Sequence, residues 1–144
     1  MNELERLARH YIYQVWEQGD GAAAKWFLSP EIRIVGVQAL EVNGLSDFRS
    51  FHSMIWSQID HLHFDTRLAL ADPPWVSHAG TITLRERRTG TRLTERCHCL
   101  NRFDGKRIVE TEVFIDFLAI FEKVGRLPPR VFDRCLAGER LGIA

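Results

Sequence analysis

The 144-residue sequence lacks an excess of either charge, because 19 lysines and arginines balance 19 aspartates and glutamates. Domains that bind nucleic acids usually carry a basic excess or a basic stripe, so this balance argues against that class. A net charge near zero also leaves little electrostatic repulsion between copies, which permits self-association. The length fits a single domain that can bury a hydrophobic core.

Long apolar runs are also missing from the sequence. No stretch approaches the roughly 20 apolar residues that a membrane-spanning helix needs. The first residues, Met-Asn-Glu-Leu-Glu-Arg, lack the basic and apolar regions of a secretory signal. We therefore expect a cytoplasmic protein that does not cross a membrane.

Cysteine is scarce, with only Cys97, Cys99 and Cys135 in the whole sequence. An odd number of cysteines without a secretory signal argues against a disulfide framework. A single residue separates Cys97 from Cys99, which is less than zinc knuckles use, and no second Cys/His pair follows at finger spacing. The sequence therefore predicts no metal site, and both cysteines are expected to be small apolar side chains of a strand.

The sequence does contain a group of helical patterns followed by a group of strand patterns. Apolar residues at helical spacing predict the helices, and runs rich in β-branched residues between turn signals predict the strands. The predicted helices cover 2–18, 22–28, 47–58, 117–124 and a segment from Pro128 to about Gly138, and the predicted strands cover 31–37, 61–71, 75–87, 92–103 and 106–116. Helices segregated from an antiparallel sheet predict the α+β class.

The last predicted hairpin turns at Asp104-Gly105, a dipeptide typical of a two-residue loop. Its second strand carries Glu110, Glu112 and Asp116 at even spacing, and side chains on a strand alternate between the two faces. The register counted from this loop places all three carboxylates on the face under the helices, with Glu112 opposite Cys97. A β-bulge would instead turn them to the solvent side, and Asp116 could simply cap the helix that follows.

The same counting through the neighbouring hairpin, with a two-residue loop at Thr89-Gly90, places Leu84 opposite Glu95. The predicted inner face is the one richer in bulky apolar side chains. Its members are Val76, His78, Gly80, Ile82, Leu84, Leu93, Glu95, Cys97, Cys99, Asn101, Phe103, Ile108, Glu110, Glu112, Phe114 and Asp116. Ionisable groups within a mostly apolar concavity are candidates for a functional site.

Two helices contribute further candidates to this concavity. Tyr11 lies near the middle of the apolar stripe of the first helix, and Phe48, Phe51 and His52 share the apolar face of the third predicted helix. A histidine in such a position is also compatible with a hydrogen-bonded core residue, and this alternative applies equally to His78.

Three motifs and the order of the elements resemble one known group of proteins. The segment Phe103–Glu110 resembles the D-G-K-I-x-E hairpin of SnoaL-like domains, with Arg107 as one inserted residue. Asp116–Gly125 is similar to the closing segment D-x-x-x-l-x-x-q-l-G of that group. The stretch Asn43–Phe51 is similar to the group's G-x-x-x-f-x-x-f motif at the start of a helix.

This resemblance implies the cone-shaped α+β fold of nuclear transport factor 2 and ketosteroid isomerase. In that fold, N-terminal helices pack on a curved antiparallel sheet, and here a C-terminal helical tail follows. The resemblance implies a single SnoaL-like domain over residues 1–144, with a core of about 2–125 and a C-terminal helical extension over 126–144.

In SnoaL-like cyclases the aspartate at the end of the last strand is an acid/base residue, and the resemblance gives this role to Asp116. Our leading hypothesis is an isomerase, cyclase or dehydratase that acts on a hydrophobic carbonyl or aromatic substrate without metal or organic cofactor. Asp116 or Glu112 would be the general base, and His78 or Tyr11 would donate to the developing oxyanion. The expected substrate-binding residues are His52, Asn101, Phe48, Phe51, Ile82 and Phe114.

Two alternatives from other function classes stay open at this point. The same pocket could bind a small hydrophobic molecule without chemistry. The domain could also be an interaction module that forms a homodimer through the outer face of its sheet, as many members of this fold do. The fold alone does not decide between them, because it hosts enzymes and non-enzymes alike.

Overall fold

A computed structural model of the chain describes residues 2–37 and 40–142. Its helices are α1 (Glu3–Tyr11), α2 (Gly44–Trp56), α3 (Phe117–Lys123) and α4 (Val131–Leu136), with a π-helical segment at Ile12–Glu17 and a 3₁₀ segment at Gly21–Trp26. Its strands are β1 (Leu28–Val37), β2 (Leu40–Asn43), β3 (Ile59–Asp72), β4 (Trp75–Glu86), β5 (Arg92–Asp104) and β6 (Arg107–Ile115). Helices that pack on one curved sheet confirm the predicted α+β class.

The six strands form a single sheet in the order β2-β1-β6-β5-β4-β3. Neighbouring strands are antiparallel except for β1 and β6, which run parallel, so the expectation of a wholly antiparallel sheet is wrong at this pair. The pairing of β1 with β6 joins distant parts of the chain, and the local pattern of a strand does not specify such a partner. The sequence pattern also fails to predict β2, because four residues are too few to show alternation.

The N-terminal helix changes its winding partway along. Asn2 caps α1 by accepting a hydrogen bond from the backbone N of Leu4 at 2.8 Å. After Tyr11 the helix continues as the π-helical segment, in which each N–H bonds to the carbonyl five residues earlier. Ala8, Tyr11 and Val15 are buried against the sheet, which confirms the expected apolar stripe.

The register between β4 and β5 differs from the expected one by two residues. Leu84 pairs with Leu93 instead of Glu95. Because side chains alternate with period two, a slip of two residues leaves every side chain on its expected face. Val76, His78 and Ile82 are accordingly buried on the concave face under the helices.

The register between β5 and β6 contains a bulge that turns the rest of β6 over. Phe103 pairs with Ile108, but the next residue of β5, Arg102, pairs with Glu110, so Val109 is an extra residue in the ladder. An odd shift moves all following side chains to the opposite face.

Three inner-face assignments are wrong as a result, those of Glu110, Glu112 and Phe114. Thr111, Val113 and Ile115 take the inner positions, opposite Asn101, Cys99 and Cys97 respectively. A pattern in the sequence could have revealed this, because Val109, Thr111, Val113 and Ile115 form the more apolar alternation of this strand. Burying that set avoids the cost of removing two carboxylates from water.

A second irregularity contributes to the curvature of the sheet, where β3 passes Gly80 of β4. The pairing shifts register between Thr66 and Leu68, and the carbonyl oxygen of Asp65 would lie only 2.0 Å from a Cβ atom at Gly80. A residue without a side chain is required for this close approach. Bulges of this kind bend a sheet, and the bend makes the helix-covered face concave.

Buried side chains on the concave face form two clusters. The larger cluster lies beneath α1 and α2 and includes Phe48, Leu28 and Ile108, each at most 1 % exposed. The smaller cluster consists of Ile59, Leu62, Phe64, Ile82 and Cys97. Several side chains on the edges of both clusters also line a cavity, which is the feature of functional interest.

Candidate functional site

A cavity of about 180 Å³ lies between the concave face of the sheet, the N-terminal helix, α2 and α3. Most of its lining is apolar: Ile12, Trp16, Ile34, Val37, Phe51, Ile55, Ile59, Leu62, Phe64, Ile82, Leu84, Val113, Ile115, Phe117, Ile120, Phe121 and Val124. The polar lining residues are Tyr11, Gln58, Glu86, Cys97, Cys99, Asn101, Thr111 and Arg126. Of the residues predicted for the site, Tyr11, Phe51, Ile82 and Asn101 therefore line the cavity.

Tyr11 presents a neutral phenol to the cavity. Its oxygen accepts a hydrogen bond from Trp16 Nε1 at 2.9 Å, and the two residues meet because a π-helix brings positions five apart above one another. Burial raises the pKa of Tyr11 well above its ordinary value; the bond from Trp16 opposes this effect, and the nearby Cys99 adds to it. Since Trp16 uses the phenol as an acceptor, the O–H group stays available as a donor.

Asn101 and Thr111 form a buried polar pair on the cavity wall. They are cross-strand partners on β5 and β6, and Thr111 Oγ1 donates to Asn101 Oδ1 at 2.9 Å. This bond leaves the Asn101 amide group as a donor, and among the described residues Nδ2 has no hydrogen-bond acceptor. Thr111 was not a predicted site residue, because the unrecognised bulge hid its inward orientation.

Three polar side chains of the lining form one hydrogen-bonded group, and because the Arg126 side chain is 44 % exposed, we call Gln58, Glu86 and Arg126 the mouth cluster. Arg126 donates to Glu86 Oε2 at 3.0 Å and to Gln58 Oε1 at 2.5 Å. Glu86 is only 4 % exposed, and its second oxygen accepts a bond from Thr89 at 2.7 Å. The alternation that places Ile82 and Leu84 inside also places Glu86 there, but sequence reasoning missed this residue.

His52 and Phe48 support the cavity from behind and do not line it. Both are buried, and the rings of Phe48 and His52 pack against Trp16 at centroid distances of 5.8 and 4.8 Å. His52 Nε2 lies 2.6 Å from the carbonyl oxygen of Val15 in the π-helical segment, so the neutral imidazole donates this bond. Burial lowers the pKa of His52, against the opposing effect of the Val15 bond. The expected substrate contacts are therefore wrong, and the alternative of a hydrogen-bonded core histidine is correct.

His78 is completely buried between β4 and α1 and does not line the cavity. Burial lowers its pKa to about 4; the nearby charge of Arg9 acts in the same direction, and Glu5 opposes it. Neither ring nitrogen has a hydrogen-bond partner within the described part of the chain. A neutral imidazole in this place cannot reach a molecule in the cavity, so the structure does not support His78 as the oxyanion donor.

The two predicted bases lie outside the cavity. Glu112 is on the outer face of the sheet, opposite Leu100. Asp116 is exposed and caps α3, because its Oδ1 accepts a hydrogen bond from the backbone N of Ala119 at 2.9 Å. Phe114, expected in the substrate wall, is 55 % exposed on the outer face. The bulge in β6 is the reason that Glu112 and Phe114 face outward. For Asp116, the structure shows the alternative role of a helix cap.

Cys97 and Cys99 both line the cavity from β5, with their sulfur atoms 3.9 Å apart. Within residues 2–37 and 40–142, no group of three or more His, Cys, Asp or Glu side chains is arranged to hold a metal ion. The cavity therefore offers neutral donors and thiols, while its single lining carboxylate among the described residues, Glu86, is bound by Arg126 and Thr89.

The arrangement of helices over a cavity in a curved sheet agrees with the comparison by sequence. The SnoaL-like domain profile matches residues 8–111 of the chain, which is well over half of its length. The chain belongs to the SnoaL-like family. No curated protein matches this SnoaL-like chain significantly by sequence.

Solved structures with the same fold include three of different origin. A provisionally named polyketide cyclase from Acidithiobacillus ferrooxidans has a TM-score of 0.77 and 14 % identity, over 87 % of this chain and 96 % of that one. AclR, a provisionally named hydroxylase from Streptomyces galilaeus, has a TM-score of 0.75 and 20 % identity, over 88 % and 98 %. A protein with ketosteroid isomerase-like fold from Catenulispora acidiphila, in complex with trimethylamine, has a TM-score of 0.74 and 12 % identity, over 83 % and 92 %.

These similarities confirm the predicted fold of the SnoaL-like, nuclear transport factor 2-like group. At sequence identities this low, the similarity shows a shared fold but does not show a shared reaction. Family and fold together support a protein that binds small molecules. No helix in the described ranges is long and apolar enough to cross a membrane.

Proposed function

We propose that the cavity reversibly binds a compact apolar molecule of about one aromatic ring that carries one hydrogen-bond acceptor. The observation that carries this proposal is an apolar cavity with two neutral donors, Tyr11 O–H and Asn101 Nδ2, in its wall. A volume of about 180 Å³ suits such a ligand, since an apolar protein cavity of about 150 Å³ binds benzene.

The free energy of burying apolar groups favours a ligand in which most atoms are apolar. Each CH₂ group removed from water contributes about 0.8 kcal/mol, and the cavity wall offers almost only carbon for such contacts. An aromatic hydrocarbon would leave the donors of Tyr11 and Asn101 without an acceptor, at a cost of about 1–3 kcal/mol for each unpaired group. An aryl ketone or a similar carbonyl compound pairs at least one of these donors.

Binding without chemistry has more support than the acid/base reaction that the resemblance implies. A general base must lie within hydrogen-bond reach of the proton that it removes. Asp116 caps α3, Glu112 faces outward, and Glu86 is engaged by Arg126. The donors Tyr11 and Asn101 could polarise a carbonyl, but no described lining residue is free to accept a proton from carbon.

The test compares acetophenone with α-methylstyrene, which has a CH₂ group in place of the carbonyl oxygen. By isothermal titration calorimetry, we expect one site and a preference for the ketone of roughly fivefold, equivalent to about 1 kcal/mol. The double variant Asn101→Leu/Thr111→Val removes the polar pair together and leaves Tyr11 as the donor, so it should show a smaller preference for the ketone than the wild type. Glu112→Gln on the outer face is the matched control and should bind like the wild type. Absence of saturable binding to both compounds would refute the proposal.

A second candidate function is association of two copies through the outer face of the sheet. Phe114 is 55 % exposed there and packs its ring near His98, with a centroid distance of 6.4 Å. The same face carries charged groups of both signs. Arg102 lies on it and donates a hydrogen bond of 3.2 Å to Glu110 on the neighbouring strand. A surface with an apolar centre and charges of both signs can complement a second copy of itself about a two-fold axis.

Light scattering tests this association across a range of protein concentrations. We expect twice the monomer mass for the wild type and the monomer mass for Phe114→Asp. Met54→Asp, at a position of α2 that is 49 % exposed, is the control and should leave the dimer intact. A wild-type monomer at high concentration would contradict the dimer. The cytoplasmic location stays a prediction.

A further inference from the structure

The two thiols in the cavity wall form a pair whose geometry is specific. Cys97 and Cys99 project from the same face of β5, with their sulfur atoms 3.9 Å apart. Cys97 is 5 % exposed and Cys99 is half-buried, and both line the cavity. The third cysteine, Cys135, is exposed on α4, remote in sequence and absent from the lining.

The pair is poorly placed to form a disulfide. Residues two apart on an extended strand are separated by about 6.6 Å and point in the same direction. A disulfide needs Cβ atoms about 3.8 Å apart, so closure would distort the centre of the sheet. The strand therefore keeps two thiols side by side, at a distance that suits one atom bonded between them.

The spacing limits which atom could lie between the sulfurs. With bonds of about 2.3 Å, the sulfurs would be about 4.6 Å apart on opposite sides of a central atom and about 3.3 Å apart at a right angle. The observed 3.9 Å lies between these limits, so small side-chain rotations reach either. Zinc in a structural site needs four ligands, and the described residues offer no third His, Cys, Asp or Glu here.

The charge of the product is a second criterion for the ligand that this thiol pair could bind. The hydrogen bond to Cys99 and burial raise the pKa of Cys97, so its thiol stays protonated. An anionic product in an apolar cavity would carry a large desolvation cost. The favoured ligand brings its own groups to accept the thiol protons, forms a neutral product, and has an apolar part that fills the cavity.

We propose that Cys97 and Cys99 form a dithiol site that covalently captures a trivalent organoarsenic compound, R–As(OH)₂. Two S–H and two As–OH groups become two As–S bonds and two water molecules. Arsenic stays trivalent, sulfur is not oxidised, and the thiol protons leave with the hydroxyl groups. The carbon–arsenic bond remains, and the apolar substituent R occupies the cavity, where a phenyl ring fits the volume of about 180 Å³.

The experiment uses phenylarsine oxide with the full-length protein, in the presence of a monothiol that competes with single cysteines. Intact-protein mass spectrometry should show one adduct, and thiol titration should show the loss of two thiols. The adduct should persist against excess monothiol and disappear with a small dithiol. Cys135→Ala should form the same adduct, with both of its remaining thiols consumed.

Single replacements of the pair test the assignment. Cys97→Ala and Cys99→Ala should lower the retention of phenylarsine oxide by at least a hundredfold, and thermal unfolding of each variant establishes that it is folded. Cys99→Ser, which keeps the polarity and size at that position, should lose the adduct as well. Retention by a folded Cys99→Ala protein, or loss of the adduct in Cys135→Ala, would overturn the proposal.

This capture does not depend on the reversible ligand proposed above. Acetophenone binding in Cys97→Ala separates the two proposals. If that variant binds acetophenone but not the arsenic compound, both proposals hold, whereas a wild type that binds acetophenone and forms no dithiol adduct refutes the arsenic site alone.

Discussion

Trp16 donates a hydrogen bond of 2.9 Å from its indole nitrogen to the phenol oxygen of Tyr11, across a helix that changes from α to π winding after Tyr11. A regular α-helix would rotate residue 16 away from residue 11, since positions three and four apart share a face there. The π-helical segment therefore aligns the two aromatic side chains over the cavity. His52 contacts the same segment through its hydrogen bond to the carbonyl oxygen of Val15.

Replacement of Tyr11 tests this arrangement. Tyr11→Phe leaves the Trp16 N–H without its acceptor and removes a donor from the cavity. We expect the free energy of unfolding to fall by about 1–2 kcal/mol, measured by chemical denaturation. The preference for acetophenone over α-methylstyrene should fall as well. Tyr13→Phe, at a position that is 51 % exposed, is the control, and equal behaviour of the two variants would contradict the role of Tyr11.

The mouth cluster should control access to the cavity. Arg126→Ala removes a donor from the buried Glu86 carboxylate, which then keeps Thr89 as its one side-chain donor in the described ranges. We expect a loss of about 1–3 kcal/mol in the free energy of unfolding. Association and dissociation of acetophenone should both become faster in stopped-flow Trp fluorescence. Arg130→Ala, which breaks only an exposed ion pair with Asp133, should change neither quantity.

His78 should make the fold less stable in mild acid. Its pKa is lowered from 6.5 to about 4 in the folded chain, so the unfolded chain binds more protons between these values. The free energy of unfolding therefore rises with pH across this window, and at 1.36 kcal/mol per pH unit a shift of this size corresponds to about 3 kcal/mol. His52, with its lowered pKa, contributes in the same direction.

His78→Leu isolates this contribution, since it removes two buried nitrogens that have no partner among the described residues. Denaturation from pH 4 to 7 should show a flatter stability profile for this variant, without a large loss at pH 7. His98→Asn, an exposed position on the outer face, should keep the wild-type slope. An unchanged slope in His78→Leu would show that other groups cause the acid sensitivity.

Two replacements of Asp116 distinguish a role as helix cap from a role in catalysis. Asp116→Ala removes the N-cap of α3 and should lower the free energy of unfolding by about 0.5–2 kcal/mol. Asp116→Asn keeps an oxygen for the Ala119 N–H and should retain most of the stability, although it cannot remove a proton. Both variants should bind acetophenone. A substrate whose turnover is lost in Asp116→Asn would restore the acid/base role that the resemblance implies.

The sequence predicted the helix-covered face of β4 and β5 well, because alternation along a strand is a local property. It also placed Tyr11, Phe51, Ile82 and Asn101 in the right region, even though the pairing of Leu84 was displaced by two residues. An even displacement preserves the faces, so the error did not spread to the site. The motifs that resemble SnoaL-like domains identified the family correctly.

β6 shows where such reasoning fails. One extra residue, Val109, inverted the assignments of Glu110, Glu112 and Phe114, and Glu112 was one of the two predicted bases. Where the ladder takes up an extra residue depends on which set of side chains packs better under the helices. The turn at Asp104-Gly105 does not contain that information.

By itself, the sequence determined the order of the elements other than β2, the class of the fold and the apolar stripes that cover the sheet, because these follow from spacing along the chain. The tertiary structure decided which polar groups enter the cavity. It paired β1 with β6, turned Glu112 to the outside, and brought Tyr11, Asn101 and the two thiols around one apolar space. The physical reason is desolvation: the bulge turns the apolar alternation of β6 toward the helices, and Glu110 and Glu112 stay on the outer face, where Arg102 pairs with Glu110.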